Sequence, residues 1–431
     1  MLSPKYHRIY HYHLKKCGGS TMNRWLDSLV SDDRTYDARW KTLAAFDPRN
    51  RETDAEPVSC ETSHAKALFY WCDLIYDHAA LRMHAPEGTL CLTVLREPVQ
   101  RLASQVADWR RFVPDDIANV PLALRESIAD IQRLPLREYL ERYGHGASRR
   151  FLDNYLTRAL AAGRIGGLAQ DVADAGRLCD VALKSLEDDY DLVGLVENFD
   201  LTRNAFCAVA GIPPASTVQT VNATSRPGDG EIRSDDTRYI LKSLTRYDEI
   251  VYQRARELFD QRHRRAAEQY DAVEYESLHA ARGLAVLRGT HCFGATRFTV
   301  RQPVAGSGFH SRDGAGTDSC AIWTGPECRT TLYVPAPPNM NLSMLVWIRG
   351  YVAARQRDQI RVRVDGKAAF HRFESLEEYA DILVVDTRST RNFVRLEIEI
   401  DETLQSCELD SAFHDARRRG FAFDSYGWRP R

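Results

Sequence analysis

The hydrophobic pattern of this 431-residue chain changes its period once, near residue 283. Before that point, short apolar runs alternate with segments whose apolar residues recur every three or four positions, the pattern of strands alternating with helices. After it, apolar residues recur at every second position, as in Ile360, Val362 and Val364, the period of a half-buried strand. The pattern predicts an α/β domain at residues 1–262, a linker at 263–285 and an all-β domain at 286–431.

Three apolar runs in the first domain predict strands at residues 8–14, 90–95 and 192–196, each followed by a helical pattern. This alternation predicts a mostly parallel sheet with helices on both faces. One long amphipathic helix over residues 237–261 is expected to close the domain. Glycine and proline punctuate the strands of the second domain, which favours a β-sandwich.

Charge and composition narrow the class of protein. The formal net charge of −2 argues against a protein that coats nucleic acid, but it allows a local basic cleft. The N-terminus shows no signal peptide, and no apolar run reaches the roughly 18 residues of a spanning helix. We therefore expect a cytoplasmic protein, either free or peripheral to the inner membrane. The ten cysteines form no Cys-x-x-Cys pair, which favours free, packed thiols and no metal site.

The segment between the first strand and the first helix combines a cation, two glycines and two hydroxyls. These residues are Lys16, Cys17, Gly18, Gly19, Ser20 and Thr21. Glycines allow a tight turn with exposed N–H groups, and a helix N-terminus attracts anions, so the segment is typical of a phosphate or sulfate cradle. A plain capped turn has the same composition. Because Lys16 precedes the glycines, the order differs from a Walker loop and disfavours an ordinary ATPase.

A second candidate anion site follows the strand at residues 90–95. Arg96 lies at the strand's carboxyl end, where open α/β sheets bind ligands, and its guanidinium can grip a phosphate. Ser104 follows eight residues later, a little over two helical turns along, and can face the same anion. A local salt bridge for Arg96 and a solvent-exposed position for Ser104 are the alternatives.

In combination, the two segments resemble the PAPS-dependent sulfotransferases (PAPS is 3′-phosphoadenosine-5′-phosphosulfate). The motifs are similar to those of carbohydrate sulfotransferases related to heparan sulfate 2-O-sulfotransferase and of their bacterial relatives. The matching motif His-x-x-Lys-x-Gly-Gly-Ser/Thr contains His13, Lys16, Gly18, Gly19 and Ser20, and Leu-Arg-Glu-Pro-Val-x-Arg-Leu spans residues 95–102. Residues 193–200 also resemble a later family segment. The resemblance covers about residues 5–260 and implies a P-loop-like, three-layer parallel sheet.

The resemblance implies roles for individual residues. Residues 17–21 would cradle the 5′-phosphosulfate, while Arg96 and Ser104 would hold the 3′-phosphate. Lys16 would neutralise the bridging oxygen as the sulfuryl group leaves. The sequence departs from the family at Lys15 and Cys17, where a proline-like residue and a threonine are usual. Lys15 is therefore a competitor for the catalytic role, although Lys16 stands at the matching offset.

The proton acceptor is expected to be a histidine, glutamate or aspartate near both segments. His64 is our choice, since it resembles the Gly-His element of the related 2-O-sulfotransferases. The alternatives are four other histidines, His11, His13, His78 and His84. Arg226, in a polar loop that also reads as a surface turn, is a further candidate for the 3′-phosphate.

The sequence therefore predicts a sulfotransferase that moves the sulfuryl group of PAPS to a hydroxyl of a carbohydrate or glycoconjugate, as in bacterial polysaccharide biosynthesis. In the all-β domain, Phe309, Trp323, Tyr333 and Trp347 either stack on sugar rings or pack the core. The rival functions are a nucleotide-dependent kinase or NTPase, and a glycan-binding protein with an inactive transferase-like domain. The acceptor and the oligomeric state are not readable from the sequence.

Overall fold

The structure is a computed structural model that describes most of the chain. The described residues are 5–27, 29–30, 34–37, 69–78, 84–113, 117, 122–146, 148–165, 172, 174–212, 234–269, 296–310, 312–314, 317, 319–406 and 417–431. His64 and Arg226 lie outside them.

The first region is an α/β fold built on one parallel sheet. Its strands are β1 (Arg8–Tyr12), β2 (Thr35–Asp37), β3 (Leu74–Asp77), β4 (Thr89–Leu95) and β5 (Leu192–Leu195). They lie in the order β2-β3-β1-β4-β5, and every pairing is parallel. The predicted parallel sheet is confirmed, with strand ends one or two residues earlier than expected after β1 and β5.

Helices lie between these strands and after the last of them. They are α1 (Gly19–Asp27), α2 (Pro98–Trp109), α3 (Leu122–Ile131), α4 (Leu136–Tyr143), α5 (Arg149–Leu152), α6 (Tyr155–Ile165), α7 (Gly176–Asp188), α8 (Phe199–Ala210), α9 (Asp235–Leu244), α10 (Arg246–Phe259) and α11 (Arg265–Glu268). Short 3-10 and π turns occupy Val196–Asn198 and Asp260–Arg264. Every residue of β4 is buried, as a continuously apolar run requires, and Met22, Trp25 and Leu26 of α1 join the same core.

The single helix expected over residues 237–261 is wrong, because the chain breaks at Thr245 into α9 and α10. The cause is Asn154, whose backbone N–H donates to the Leu244 carbonyl over 2.6 Å. Its side-chain Oδ1 accepts from the Tyr247 N–H over 2.7 Å. These groups would bond within an uninterrupted helix. The helical path then continues through residues 260–268, so the first part of the expected linker is helical and Ala267 packs in the α/β core.

The second region is antiparallel and all-β. Its strands are β6 (Thr296–Thr299), β7 (Gly306–Ser307), β8 (Ile322–Trp323), β9 (Arg329–Pro335), β10 (Asn341–Tyr351), β11 (Arg361–Val364), β12 (Lys367–Ala369), β13 (His371–Leu376), β14 (Tyr379–Arg388), β15 (Phe393–Glu399), β16 (Leu404–Gln405), β17 (Arg418–Arg419) and β18 (Phe421–Pro430). One sheet has the order β13-β14-β10-β18-β6 with β8 beside β18, a second has the order β12-β11-β15-β9-β7, and β16 pairs with β17.

Side chains from both large sheets share one apolar core, for example Val346 of β10 and Leu396 of β15. The region is therefore sandwich-like, as the period-2 pattern indicated. Seven cysteines lie among the described residues, and five of them are buried. No helix in the described parts of the chain is long and apolar enough to cross a membrane.

Candidate functional site

Polar residues gather at the carboxyl edge of the parallel sheet. The segment 13–19, here called the Gly loop, follows β1, while Arg96 follows β4 and Val196 follows β5. Arg96 Nη1 donates to the Lys16 carbonyl over 3.5 Å. A Cβ placed on Gly18 would lie 3.2 Å from the Val196 side chain. Segments far apart in the sequence therefore meet at the edge where open α/β sheets bind ligands.

The two glycines of the Gly loop are needed for different reasons. Gly18 has a φ of +70°, a left-handed conformation that glycine adopts without strain. Gly19 does not, but a Cβ there would stand 1.9 Å from Cδ2 of the His13 imidazole. The loop then opens α1, with Ser20 and Thr21 in the first turn. The first N–H groups of a helix have no intrahelical acceptor, so this turn can bind an anion.

A group of histidines fixes the other side of the Gly loop. Asn23 of α1 is buried, and its Oδ1 and Nδ2 lie 2.5 and 3.2 Å from Nδ1 of His11 and His13. Since an amide oxygen only accepts and an amide nitrogen only donates, His11 carries the Nδ1 proton and His13 accepts there. The Nδ1–H of His78, at the end of β3, donates to the His13 carbonyl over 2.5 Å. His13 is thus held rigidly against Gly19.

Lys16 and Lys15 project toward different surroundings. The Lys16 ammonium lies 2.9 Å from Oδ1 of Asp108, in the last turn of α2. The Lys15 ammonium lies 4.8 Å from the centroid of the Phe151 ring, and its backbone N–H donates to the Tyr155 hydroxyl over 2.8 Å. Burial, with a smaller effect from the charge of Lys16, lowers the pKa of Lys15 to about 8. Of the two lysines, it is therefore Lys16 that forms an ion pair with α2.

One face of α2 is turned toward the Gly loop. Arg101, Ser104 and Asp108 are spaced by three and four positions, so they share a face, and Asp108 meets Lys16. Ser104 is 7% exposed. The N-terminus of α2 is already capped, because the Glu97 carboxylate accepts from the N–H groups of Val99 and Gln100. An anion bound here would therefore depend on side chains rather than on the end of α2.

Arg101 supports the Gly loop from below. Arg101 is 1% exposed, and its guanidinium lies 4.5 Å from the centroid of the Tyr155 ring and donates to the Phe151 carbonyl over 2.6 Å. Its Nε and Nη1 atoms have no hydrogen-bond partner among the described residues. Burial lowers the pKa of Arg101, and the charge of Asp248 opposes that effect. The same layer of buried groups holds both Lys15 and Arg101 in place.

Most of the residues selected from the sequence meet at this edge. Arg96 lies beside the Gly loop, and Ser20 and Thr21 follow the loop in the first turn of α1. Ser104 lies on the α2 face turned toward the loop. Cys17 is buried, and burial raises the pKa of its thiol to about 12, so the side chain is a neutral, packed thiol. The positions of His64 and Arg226 lie outside the described residues.

Sequence analysis missed the part that Asp108 plays. Its spacing of four residues from Ser104 was a signal that it shares the Ser104 face, but no local pattern predicts its pairing with Lys16. Asn23 was missed for the same reason, since its partner His11 lies on β1 and its partner His13 lies in the Gly loop. Both contacts depend on the packing of a helix against the strand-end loop.

No protein-family model matches the chain, and no curated protein is similar to it in sequence. The function must therefore be inferred from the residues themselves. The strongest feature is a helix-opening Gly loop that carries a lysine and lies beside an arginine at the next strand end.

Proposed function

We propose that the chain is a PAPS-dependent sulfotransferase that transfers a sulfuryl group to a hydroxyl of a carbohydrate or glycoconjugate. The meeting of the Gly loop and Arg96 carries this proposal. They are 80 positions apart, yet Arg96 Nη1 lies 3.5 Å from the Lys16 carbonyl. These are the two segments that resemble the sulfotransferase family, and a shared nucleotide site requires them to be neighbours.

The charges at the sheet edge suit a polyanionic donor. Lys16 and Arg96 supply cations, and the first turn of α1 supplies N–H groups. Two nearby carboxylates are already engaged. Glu97 caps α2, and Glu197 accepts from the Glu97 N–H and the Tyr252 hydroxyl, both over 2.8 Å. These hydrogen bonds spread the charge of the two carboxylates. The Lys16 ammonium is itself paired with Asp108, so a bound donor would replace that partner.

Each residue of the site has a role in the proposed reaction. The backbone and hydroxyl groups of residues 17–21 hold the 5′-phosphosulfate. Arg96, Ser104 and Arg226 hold the 3′-phosphate that distinguishes PAPS from ATP. The acceptor oxygen bonds to sulfur while the bond from sulfur to the bridging oxygen breaks, and that oxygen keeps the electron pair. Lys16 stabilises the resulting charge on 3′-phosphoadenosine-5′-phosphate, PAP.

The acceptor hydroxyl loses its proton to a histidine, for which His64 is the proposed residue. A neutral imidazole is required, since only the neutral form can accept a proton. No metal enters the scheme, because Lys16 and Arg96 supply the positive charge. We also propose that the reaction is cytoplasmic, that the α/β region has the P-loop-like three-layer architecture, and that the all-β region is a β-sandwich that accompanies the transferase in polysaccharide modification.

Calorimetry with PAP, 5′-AMP and ATP tests the nucleotide assignment. PAP should bind at least about tenfold more tightly than 5′-AMP, because a charge-assisted contact to the 3′-phosphate adds more than about 1.4 kcal/mol. Arg96→Ala should remove most of this preference. Arg137→Ala, an arginine on α4 paired with Glu141, is the matched control and should retain it.

Equal binding of PAP and 5′-AMP would contradict the proposal. A preference for ATP would favour the kinase or NTPase instead. Incubation of the enzyme with radiolabelled PAPS and cell-extract glycans, followed by mass spectrometry, identifies the acceptor. PAP binding without any labelled product would indicate a glycan-binding protein with an inactive transferase-like domain.

A further inference from the structure

The Lys16 side chain has an internal anionic partner. Its Nζ lies 2.9 Å from Oδ1 of Asp108. The two side chains keep 21% and 30% of their surface exposed, so the pair is accessible to water and to small anions. An accessible ion pair of this kind is weak and can exchange partners.

Asp108 has a second cation at hand. Arg111, one turn further along, donates from Nη2 to the same Oδ1 over 3.0 Å. If Lys16 leaves, Asp108 keeps this partner and its charge stays paired. Loss of the Lys16 contact therefore avoids the penalty of leaving a charge without a counter-ion.

The backbone of Lys16 is fixed while its side chain can move. Its φ is +63°, a left-handed conformation that is uncommon for a residue with a side chain. Arg96 holds the carbonyl of the same residue from one side. The ammonium is carried on a flexible four-carbon stem. A change of partner thus needs only rotation of the side chain above a stationary loop.

We propose that Asp108 is a positioning residue that acts through Lys16. In the ligand-free chain it holds the ammonium on the α2 side of the Gly loop, and on donor binding it gives the ammonium up to the bridging phosphate oxygen. This inference rests on the proposed function. Because Lys16 exchanges one anion for another, its net contribution to donor binding is small, and its charge becomes most valuable as the leaving oxygen gains charge. The return of Lys16 to Asp108 assists release of PAP.

Asp108→Asn tests the exchange, because it preserves the shape of the side chain and removes the competing charge. Calorimetry should show PAP binding about threefold to fivefold more tightly, the factor expected for loss of one accessible ion pair. The KM for PAPS should fall by a similar factor, while kcat changes less, because Lys16 has already left Asp108 in the complex. The control is Asp358→Asn, which removes the same charge from an 84% exposed site in the all-β region and should alter neither.

A double-mutant cycle separates competition for Lys16 from simple charge repulsion. In a Lys16→Met background, Asp108→Asn should change PAP affinity by less than about twofold, since there is no ammonium to compete for. An equal gain in both backgrounds would show that Asp108 acts by its charge alone and would overturn the inference. Unchanged or weaker PAP binding by Asp108→Asn would also overturn it. Failure of the unmodified chain to bind PAP would instead overturn the proposed function.

Discussion

Charged side chains are arranged differently in the two regions of the chain. At the carboxyl edge of the parallel sheet, Lys16 and Arg96 lie beside a helix N-terminus. Around the six-stranded sheet of the all-β region, arginines form ion pairs with carboxylates, and one carboxylate can serve two arginines, as Asp424 does for Arg297 and Arg349. Short contacts there join Arg349 to Asp424 over 2.6 Å, Arg372 to Asp386 over 2.9 Å and Arg429 to Glu374 over 2.6 Å.

The aromatic residues of the all-β region are also packed against partners from the same region. Phe309 is buried in the core, whereas Trp323 and Trp347 are half-buried. The Arg419 and Arg297 guanidinium groups lie 4.5 and 4.7 Å from the centroids of these two tryptophan rings. Each ring is thus packed against a cation of the same region. A cation that lies near helix N–H groups and holds one accessible partner, as Lys16 does, is a candidate for chemistry, whereas arginines and rings packed against one another stabilise the fold.

The strongest test of this contrast is Lys16→Ala. We expect turnover to fall about a hundredfold to a thousandfold, because Lys16 meets charge that develops only in the transition state. PAP affinity should change far less. Lys15→Ala is the matched control, since Lys15 lies against Phe151, and it should keep most of the turnover. Steady-state kinetics measures turnover and calorimetry measures PAP affinity. If Lys15→Ala were the inactive variant, Lys15 rather than Lys16 would be the catalytic lysine.

His64→Ala should have the next largest effect. Turnover should fall roughly a hundredfold, the usual contribution of a positioned base, with PAP affinity unchanged. In the unmodified enzyme, activity should decline at acid pH as the imidazole gains a proton, near a pKa of about 6.5. A pH–rate profile and a melting temperature, measured on one preparation, distinguish a catalytic role of His64 from a structural one. A folded, PAP-binding variant with full turnover would exclude His64 as the base.

Two glycines give a matched pair between the regions. Gly19→Ala should lower the free energy of unfolding by about 1–3 kcal/mol, because its Cβ would overlap the His13 ring that Asn23 holds in place. Gly350→Ala, on β10, meets no atom within 4 Å and should change stability by less than about 0.5 kcal/mol. Urea unfolding measures both. Similar losses of unfolding free energy in the two variants would mean that Gly19 is packed no more tightly than Gly350.

The smallest expected effect is a pH dependence of stability that arises from Lys15. Burial lowers the pKa of Lys15 to about 8, from an ordinary value of 10.5. Between these two values the folded chain binds fewer protons than the unfolded chain, so the cost of burying the charge is relieved as the pH rises through that window. Stability of the unmodified chain relative to Lys15→Met should therefore increase from pH 8 to 10. Denaturant titrations at several pH values measure this difference, and a constant difference would contradict the burial of Lys15.

Much of the candidate site was predictable because its parts are local. The Gly loop and Arg96 stand directly after apolar strands, and parallel strands bring their carboxyl ends to one edge. The unbroken apolar run at residues 90–95 and the alternation at residues 360–364 likewise reflect which faces of each strand are buried, a property that each segment carries in its own sequence.

The break between α9 and α10 could not be predicted, since it depends on Asn154, about ninety positions away. The same is true of the pairing of Lys16 with Asp108 and of Gly19 with His13. The two fold classes and the strand-end positions of the polar motifs were readable from the sequence alone. Which lysine meets α2, which glycine needs a positive φ, which glycine makes room for a ring and where a helix ends follow from long-range packing, which no local pattern records.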